Sequence, residues 1–246
     1  MSNRPETQAA NTSRPRPMID LLVSIVLPSV ILMKFSGDEE LGAGTALMVA
    51  LAFPLGWGLV EFIKYKKFNF IALLGLVSVV LTGGIGLLRL DSQWLAIKEA
   101  AIPGSIGMAI LISTYTRYPL VRTLLYNPKL VNVDKVRQKL DEFDNNKTFE
   151  ARLKNATYLL SSTFMFSSAM NYILAKWVVT SPAGSAAFNE ELGQMTLLSY
   201  PVITIPSVLM LTMVLYYLWR SIHALTGLGM EEILVKQLGE AKQRNA

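Results

Sequence analysis

Cysteine is absent from the 246 residues, and histidine occurs once. Without cysteine there is no disulfide, no thiolate nucleophile and no cysteine-ligated metal. A cluster of imidazoles around a metal needs more than one histidine. The single one, His223, falls at an expected helix end beside Arg220 and reads as a polar residue at a membrane surface. Charge is scarce as well. Only 17% of residues are Asp, Glu, Lys or Arg, against about 25% in a soluble domain. Thr82-Gly83-Gly84-Ile85-Gly86 lacks the lysine and the strand-loop-helix setting of a phosphate-binding loop. No nucleophile and base, and no pair of acids, can be assembled for hydrolysis. The chain is therefore expected to be no enzyme and to hold no cofactor and no metal.

Apolar residues make up 52% of the chain. They collect in long runs, with the charges between them. A membrane-crossing helix needs about 20 mainly apolar residues, and six stretches qualify: Ile19 to Phe35, Leu41 to Ile63, Phe68 to Leu88, Trp94 to Thr114, Ala156 to Thr180 and Thr196 to Leu218. They are too long for barrel strands, and in hydrocarbon the backbone must satisfy its own hydrogen bonds, so helices remain. The expected fold is an all-α, polytopic membrane helical bundle of six transmembrane helices.

The basic residues orient it. Of the 23 lysines and arginines, nineteen lie in the first 17 residues, the connection between spans two and three, the long connection between spans four and five, and the C-terminal tail. The opposite turns hold Asp38, Glu39 and Glu40, Arg89 with Asp91, and Glu190 with Glu191. An excess of Lys and Arg marks the cytoplasmic side, so both termini are expected there. Residues 1–17 read as a disordered cytoplasmic tail, with no small-residue cleavage site behind the first apolar run. Residues 18–114 carry spans one to four, 115–155 a cytoplasmic amphipathic connection, 156–220 spans five and six, and 221–246 a cytoplasmic tail. The basic segments flank apolar runs and lack an aromatic platform, which argues against nucleic acid. The expected partners are the bilayer and either other membrane proteins or further copies of the chain.

An ionisable group deep in a bilayer costs at least about 2.5–3.5 kcal/mol. Lys98, Glu99, Asn171 and Glu61 are accordingly the candidate polar site. Lys98 and Glu99 are sequence neighbours, which do not face each other on a helix. They are not expected to pair, and Lys98 is expected to reach outward. Glu61 has Lys64 at i+3 for a local ion pair. Asn171 is the best candidate for a bond between helices, beside a serine and threonine group from Ser161 to Ser168. Pro28, Pro54, Pro103 and Pro206 should kink their helices, and Gly83, Gly84 and Gly107 should let helices approach closely. In the long connection Val133, Val136, Leu140 and Phe143 recur at helical spacing behind Asn132 as N-cap. They form a face for the lipid surface or for a cytoplasmic partner.

Several of these residues carry a resemblance. Gly83-Gly84, Trp94 with Lys98 four residues on, Arg117-Tyr118-Pro119-Leu120-Val121-Arg122, and the tract from Ala169 through Asn171 and Tyr172 to Trp177 resemble the bacterial intracellular septation protein A family of inner-membrane proteins. The resemblance picks out Gly83, Gly84, Lys98, Pro119 and Asn171. It implies a multi-pass protein of the bacterial inner membrane that supports envelope maintenance or septation through partners, with no catalytic residue. This chain departs from the pattern in its longer central connection and in Glu99. Read from its residues alone, the runner-up is a small-solute or ion- or proton-coupled transporter, with Lys98, Glu99 and Asn171 facing one cavity.

Overall fold

The computed structural model describes residues 22–65, 70–116, 120–124, 126, 128 and 131–234. Among them there is no strand, only an isolated antiparallel bridge between Val131 and Leu234. The fold is all-helical. Helix α1 is a π-turn, Leu22–Val26, running into Leu27–Lys34; α2 is Ala43–Tyr65, α3 Phe70–Leu87 and α4 Gln93–Ser113. A short α5, Leu120–Leu124, and α6, Val133–Glu142, occupy the central connection. Helix α7 is Asn146–Val178, α8 Ala186–Ser199, α9 Ile205–Thr226 and α10 Met230–Ile233. A second π-turn, Tyr200–Thr204, joins α8 to α9. Over its described residues, each of the six expected apolar stretches falls mainly on a helix; residues 19–21 and 68–69 of the first and third lie outside them.

Two of these helices are long and apolar enough to cross a membrane: Gln93–Ser113, and the continuous 41-residue run Ala186–Thr226. The second corrects the sequence reading, which placed residues 181–195 in a loop. Only 179–185 is a loop, and Ser185 caps the helix by accepting the Phe188 N–H at 3.1 Å. Phe188, Leu192 and Met195 then bury one face of α8. The acidic pair Glu190-Glu191 and Gly193 masked that period. Helix α7 starts at Asn146, ten residues before the apolar span, and agrees with the sequence in that a helix expected from about Thr148 runs straight into the fifth span.

The packing has one central pair and two apolar cores. Helices α4 and α7 lie antiparallel along each other: Ser161 Oγ donates to the Gly107 carbonyl and Ser168 Oγ to the Ala100 carbonyl, both at 2.8 Å. Both helices repeat every seven residues there, the period of a left-handed seam. The gap is closed because Gly104 and Gly107 have no side chain. A Cβ at Gly107 would stand 3.0 Å from Phe164 Cβ and 3.3 Å from the Ser161 carbonyl.

One core joins the far ends of α4, α7 and α9 to the connection, through Ile110, Leu153, Leu218, Ile222 and Ile233. Val136 and Leu140 of α6 belong to it, at 0% and 2% exposed. This overturns their assignment to a lipid-surface or partner-facing patch, since the chain covers them itself. Val133 is packed against the same core, and Phe143 alone is exposed, with the Lys139 ammonium 5.6 Å from its ring. The N-cap is as expected: Asn132 Oδ1 accepts the Lys135 N–H at 3.2 Å.

The other core joins α1, α2, α3 and α8 to the near ends of α4 and α7, around Leu47, Leu95 and Phe188. Gly193 of α8 meets α1 so closely that a Cβ would lie 2.8 Å from the Ser29 carbonyl. Fully buried Asn189 ties the turn after α1 to α8, donating to Ser36 Oγ at 3.0 Å and to the Ala43 carbonyl at 2.7 Å. Pro28 sits just after the first π-turn and Pro206 just after the second, while Pro54 and Pro103 lie inside helices.

Candidate functional site

Helix α3 places Ser78 and Thr82 one turn apart, on the side that meets α4. Lys98 of α4 points between them. Its ammonium donates to Thr82 Oγ1 at 2.7 Å and to Ser78 Oγ at 3.2 Å, and it pairs with Glu99 Oε1 at 2.6 Å. An ammonium has three N–H donors, and here each has a partner. Thr82 Oγ1 in turn donates to the Ser78 carbonyl at 3.0 Å.

Two expectations about this site are corrected. Lys98 does not reach outward: it is 8% exposed and turned onto α3. Glu99 does pair with it. Adjacent positions diverge at Cβ, but a four-carbon stem and a two-carbon stem are long enough to bring their ends together. Glu99 keeps an opening to the outside, its side chain being 24% exposed.

Asn171 is not part of this cluster. Its amide donates to the Ser167 carbonyl at 2.7 Å and to Ser167 Oγ at 3.3 Å, one turn back on its own helix. The expected bond between helices is made by Ser161 and Ser168 instead. The side chains of Glu61 and Lys64 lie outside the described ones, as do residues 117–119, which include Pro119. The two glycines before the end of α3 divide: a Cβ at Gly83 would stand 2.8 Å from Leu51 Cδ1, whereas nothing lies within 4 Å of one at Gly84. Gly86, the last glycine of the same run, makes the tighter contact, against Leu47.

Ser78, Thr82, Asn189 and Gly193 were missed from sequence. Ser78 and Thr82 left a signal, two hydroxyls at i and i+4 on an otherwise apolar helix.

Two clefts open at opposite ends of the molecule, and neither is lined by Lys98, Glu99 or Asn171. One, of about 600 Å³, lies between the turn after α3 and the loop after α7 and is lined by Arg89, Asp91, Ser92 and residues 180–185. Arg89 does not pair with Asp91, whose Oδ1 instead accepts the Gln93 N–H at 2.7 Å. Beside it the Glu191 carboxylate accepts from both the N–H and the hydroxyl of Thr180 and of Ser181, at 2.8–3.2 Å. The other cleft, about 280 Å³, is lined by Thr114, Glu150, Ala151, Leu153 and Lys154.

At that second end, Arg122 pairs with Glu150 and Lys135 with Glu232 at 2.8 Å. The hydrogen bond from Lys135, together with the Gly229 N–H, holds the Glu232 carboxyl below the usual carboxylate range. Burial pushes the Tyr126 phenol up to about 12. His223 stacks on Trp219 with ring centres 5.9 Å apart, and its Nδ1 is 2.8 Å from the Leu228 carbonyl. It closes the end of α9, where Gly227 supplies the left-handed turn at φ 70°.

Fold and site together define a protein that is all-helical among its described residues, with two helices fit to cross a bilayer and a satisfied ion cluster where α3 meets one of them, α4. Compared with protein-family models, with curated proteins and with solved structures, the chain matches none.

Proposed function

We propose that the chain is a multi-pass protein of the bacterial inner membrane, with six spans and both termini in the cytoplasm. In this reading it performs no catalysis and supports envelope maintenance or septation through contacts with other membrane proteins. The observation that carries the membrane reading is the outer surface. Helix α3 exposes Leu73, Leu76, Val77, Val80 and Leu81, and α9 exposes Ile205, Val208, Leu209 and Met213. Both sets follow the i, i+3, i+4 stripe that a helix in water turns inward. Contiguous apolar surface of this kind fits hydrocarbon or a partner helix. The one-sided distribution of basic residues and the resemblance to the septation protein A family support the finer assignment.

The cluster at Lys98 bears on mechanism. Its donors are all used inside the protein, as are the hydroxyls of Ser161 and Ser168. Polar atoms that close on each other hold helices together and leave the outer faces to make contacts. One observation favours transport instead: Glu99, in an ion pair one to two turns into α4, stays partly open to the outside.

The absence of cysteine makes the test clean, because every introduced thiol is unique. With an impermeant maleimide applied to intact cells, Ala187→Cys is expected to label and Lys147→Cys to label only after lysis. Val80→Cys, in mid-helix, should resist labelling yet crosslink to a neighbouring membrane protein. Equal labelling at 147 and 187 in intact cells would refute the topology. A Val80→Cys chain that never crosslinks would refute the contact role.

A further inference from the structure

The cleft between the turn after α3 and the loop after α7 has no part in the cluster at Lys98, and its chemistry is selective. Arg89 is the one base in the three connections at this end of the molecule, residues 35–42, 88–92 and 179–185. Its guanidinium has neither an ion-pair nor a hydrogen-bond partner among the described residues, and the Ser92 hydroxyl, in the same lining, has none either. Both line the cleft. Arg89 also holds a left-handed backbone, φ 53°, which a side-chain-bearing residue adopts only at a cost in strain. Its side chain is laid across Gly184, where a Cβ would stand 2.8 Å from Arg89 Cγ. Gly184 itself has φ 84°. Two left-handed turns thus meet at the cleft, where the unpaired guanidinium of Arg89 and the hydroxyl of Ser92 share one lining; the Thr180, Ser181 and Ser185 hydroxyls are already committed within the protein.

The same cleft holds a carboxylate. Asp91 commits Oδ1 to the Gln93 N–H, which leaves Oδ2 for another donor. A purely anionic ligand would be repelled by it. A ligand with a phosphate and a primary ammonium a few bonds apart satisfies all three groups. Close in sequence to its two walls, Leu88 is 70% and Trp177 81% exposed. Trp is favoured where acyl chains meet headgroups.

We infer that this cleft binds the headgroup of a zwitterionic aminophospholipid, phosphatidylethanolamine. Its phosphate is held by Arg89 and Ser92 and its ammonium by Asp91. The guanidinium fork matches two phosphate oxygens, a charge-assisted pairing stronger than one between neutral groups. The ammonium of ethanolamine can donate to Asp91, whereas a choline headgroup has no N–H to give. This inference rests on the membrane reading above.

The full chain, released from nanodiscs holding equal amounts of phosphatidylethanolamine, phosphatidylglycerol and phosphatidylcholine, is examined by native mass spectrometry. The wild type is expected to retain phosphatidylethanolamine over either competitor by about tenfold, the scale of one charge-assisted bond. Arg89→Gly should lose that retention while melting no lower in lipid-free detergent, because glycine tolerates the left-handed backbone. Arg89→Asn, which also tolerates it, should do the same. Asp91→Asn should erase the preference over phosphatidylglycerol.

Retention unchanged in Arg89→Gly would overturn the inference. So would failure of both Arg89 variants to fold, which would make the residue structural. Equal protection against melting by free O-phosphoethanolamine or inorganic phosphate would also overturn it, since the site would then serve a soluble anion. The thiol labelling described above separates the two levels. Correct labelling without lipid retention sinks this inference alone, and incorrect labelling sinks both.

Discussion

Glu99 shows how a single residue can decide between two roles. Its carboxylate neutralises an ammonium that is otherwise held only by two hydroxyls. If it serves the fold, Glu99→Gln should keep an oxygen acceptor for Lys98 but lose the charge. The expected result is a loss of roughly 1–2 kcal/mol, read as a lower melting temperature in detergent, with unaltered proton and solute permeability of reconstituted vesicles. A variant as stable as wild type whose vesicles lose a solute or proton flux would instead favour transport. The site was half legible. Lys98 and Glu99 were marked by being charged in an apolar run, but their partners Ser78 and Thr82 were not. Hydroxyls are common in apolar helices and usually bond one turn back, as Thr82 itself also does. The reach of a long side chain also defeats an argument from Cβ directions, which is why the pairing of neighbours was read wrongly.

Between elements, glycine contacts set the spacing, and the structure ranks them. Gly193→Ala would press a methyl onto the Ser29 carbonyl, which is backbone and cannot swing away. A cost of about 1–3 kcal/mol is expected, in the range of overpacked cores. Gly84→Ala meets nothing within 4 Å and should stabilise by about 0.5–1 kcal/mol, since alanine favours helix over glycine. Equal melting shifts in the two variants would contradict the packing of α1 on α8.

A second element-level test concerns the strap formed by α10, whose Ile233 carbonyl accepts the Asn132 N–H at 2.7 Å. Glu232 anchors it to Lys135. The carboxyl is lowered in the folded state. Its contribution is therefore present above the ordinary carboxylate range and lost as pH falls through the lowered value. Protection of the Asn132 amide from exchange, corrected for the intrinsic pH dependence, should hold near neutrality and fade at acid pH. In Glu232→Gln it should change little with pH.

Element positions were readable because apolar length and the 3.6-residue period are local signals. The start of α8 was not, because Glu190, Glu191 and Gly193 hide the buried set Phe188, Leu192 and Met195. The inward face of α6 was seen as amphipathic, yet its partner was misjudged. A sequence shows that a face is apolar but not whether the same chain covers it.

For the whole molecule, the cores are assembled from distant segments. One draws on residues from Leu32 to Ile203, the other from Ile110 to Ile233. Helices α4 and α7 reach both, as does the continuous run of α8 and α9. Neither core can close until most of the chain exists, and the seam between Gly107 and Ser161 must wait for some fifty residues after α4 is made. The cluster at Lys98 is under no such constraint. Thr82 and Ser78 precede the lysine by 16 and 20 residues, and Glu99 follows it directly. A nascent hairpin of α3 and α4 therefore holds every partner its buried cation needs. On the membrane reading, it can leave the insertion machinery for lipid with that charge already neutralised, long before the helices that later enclose it have been synthesised.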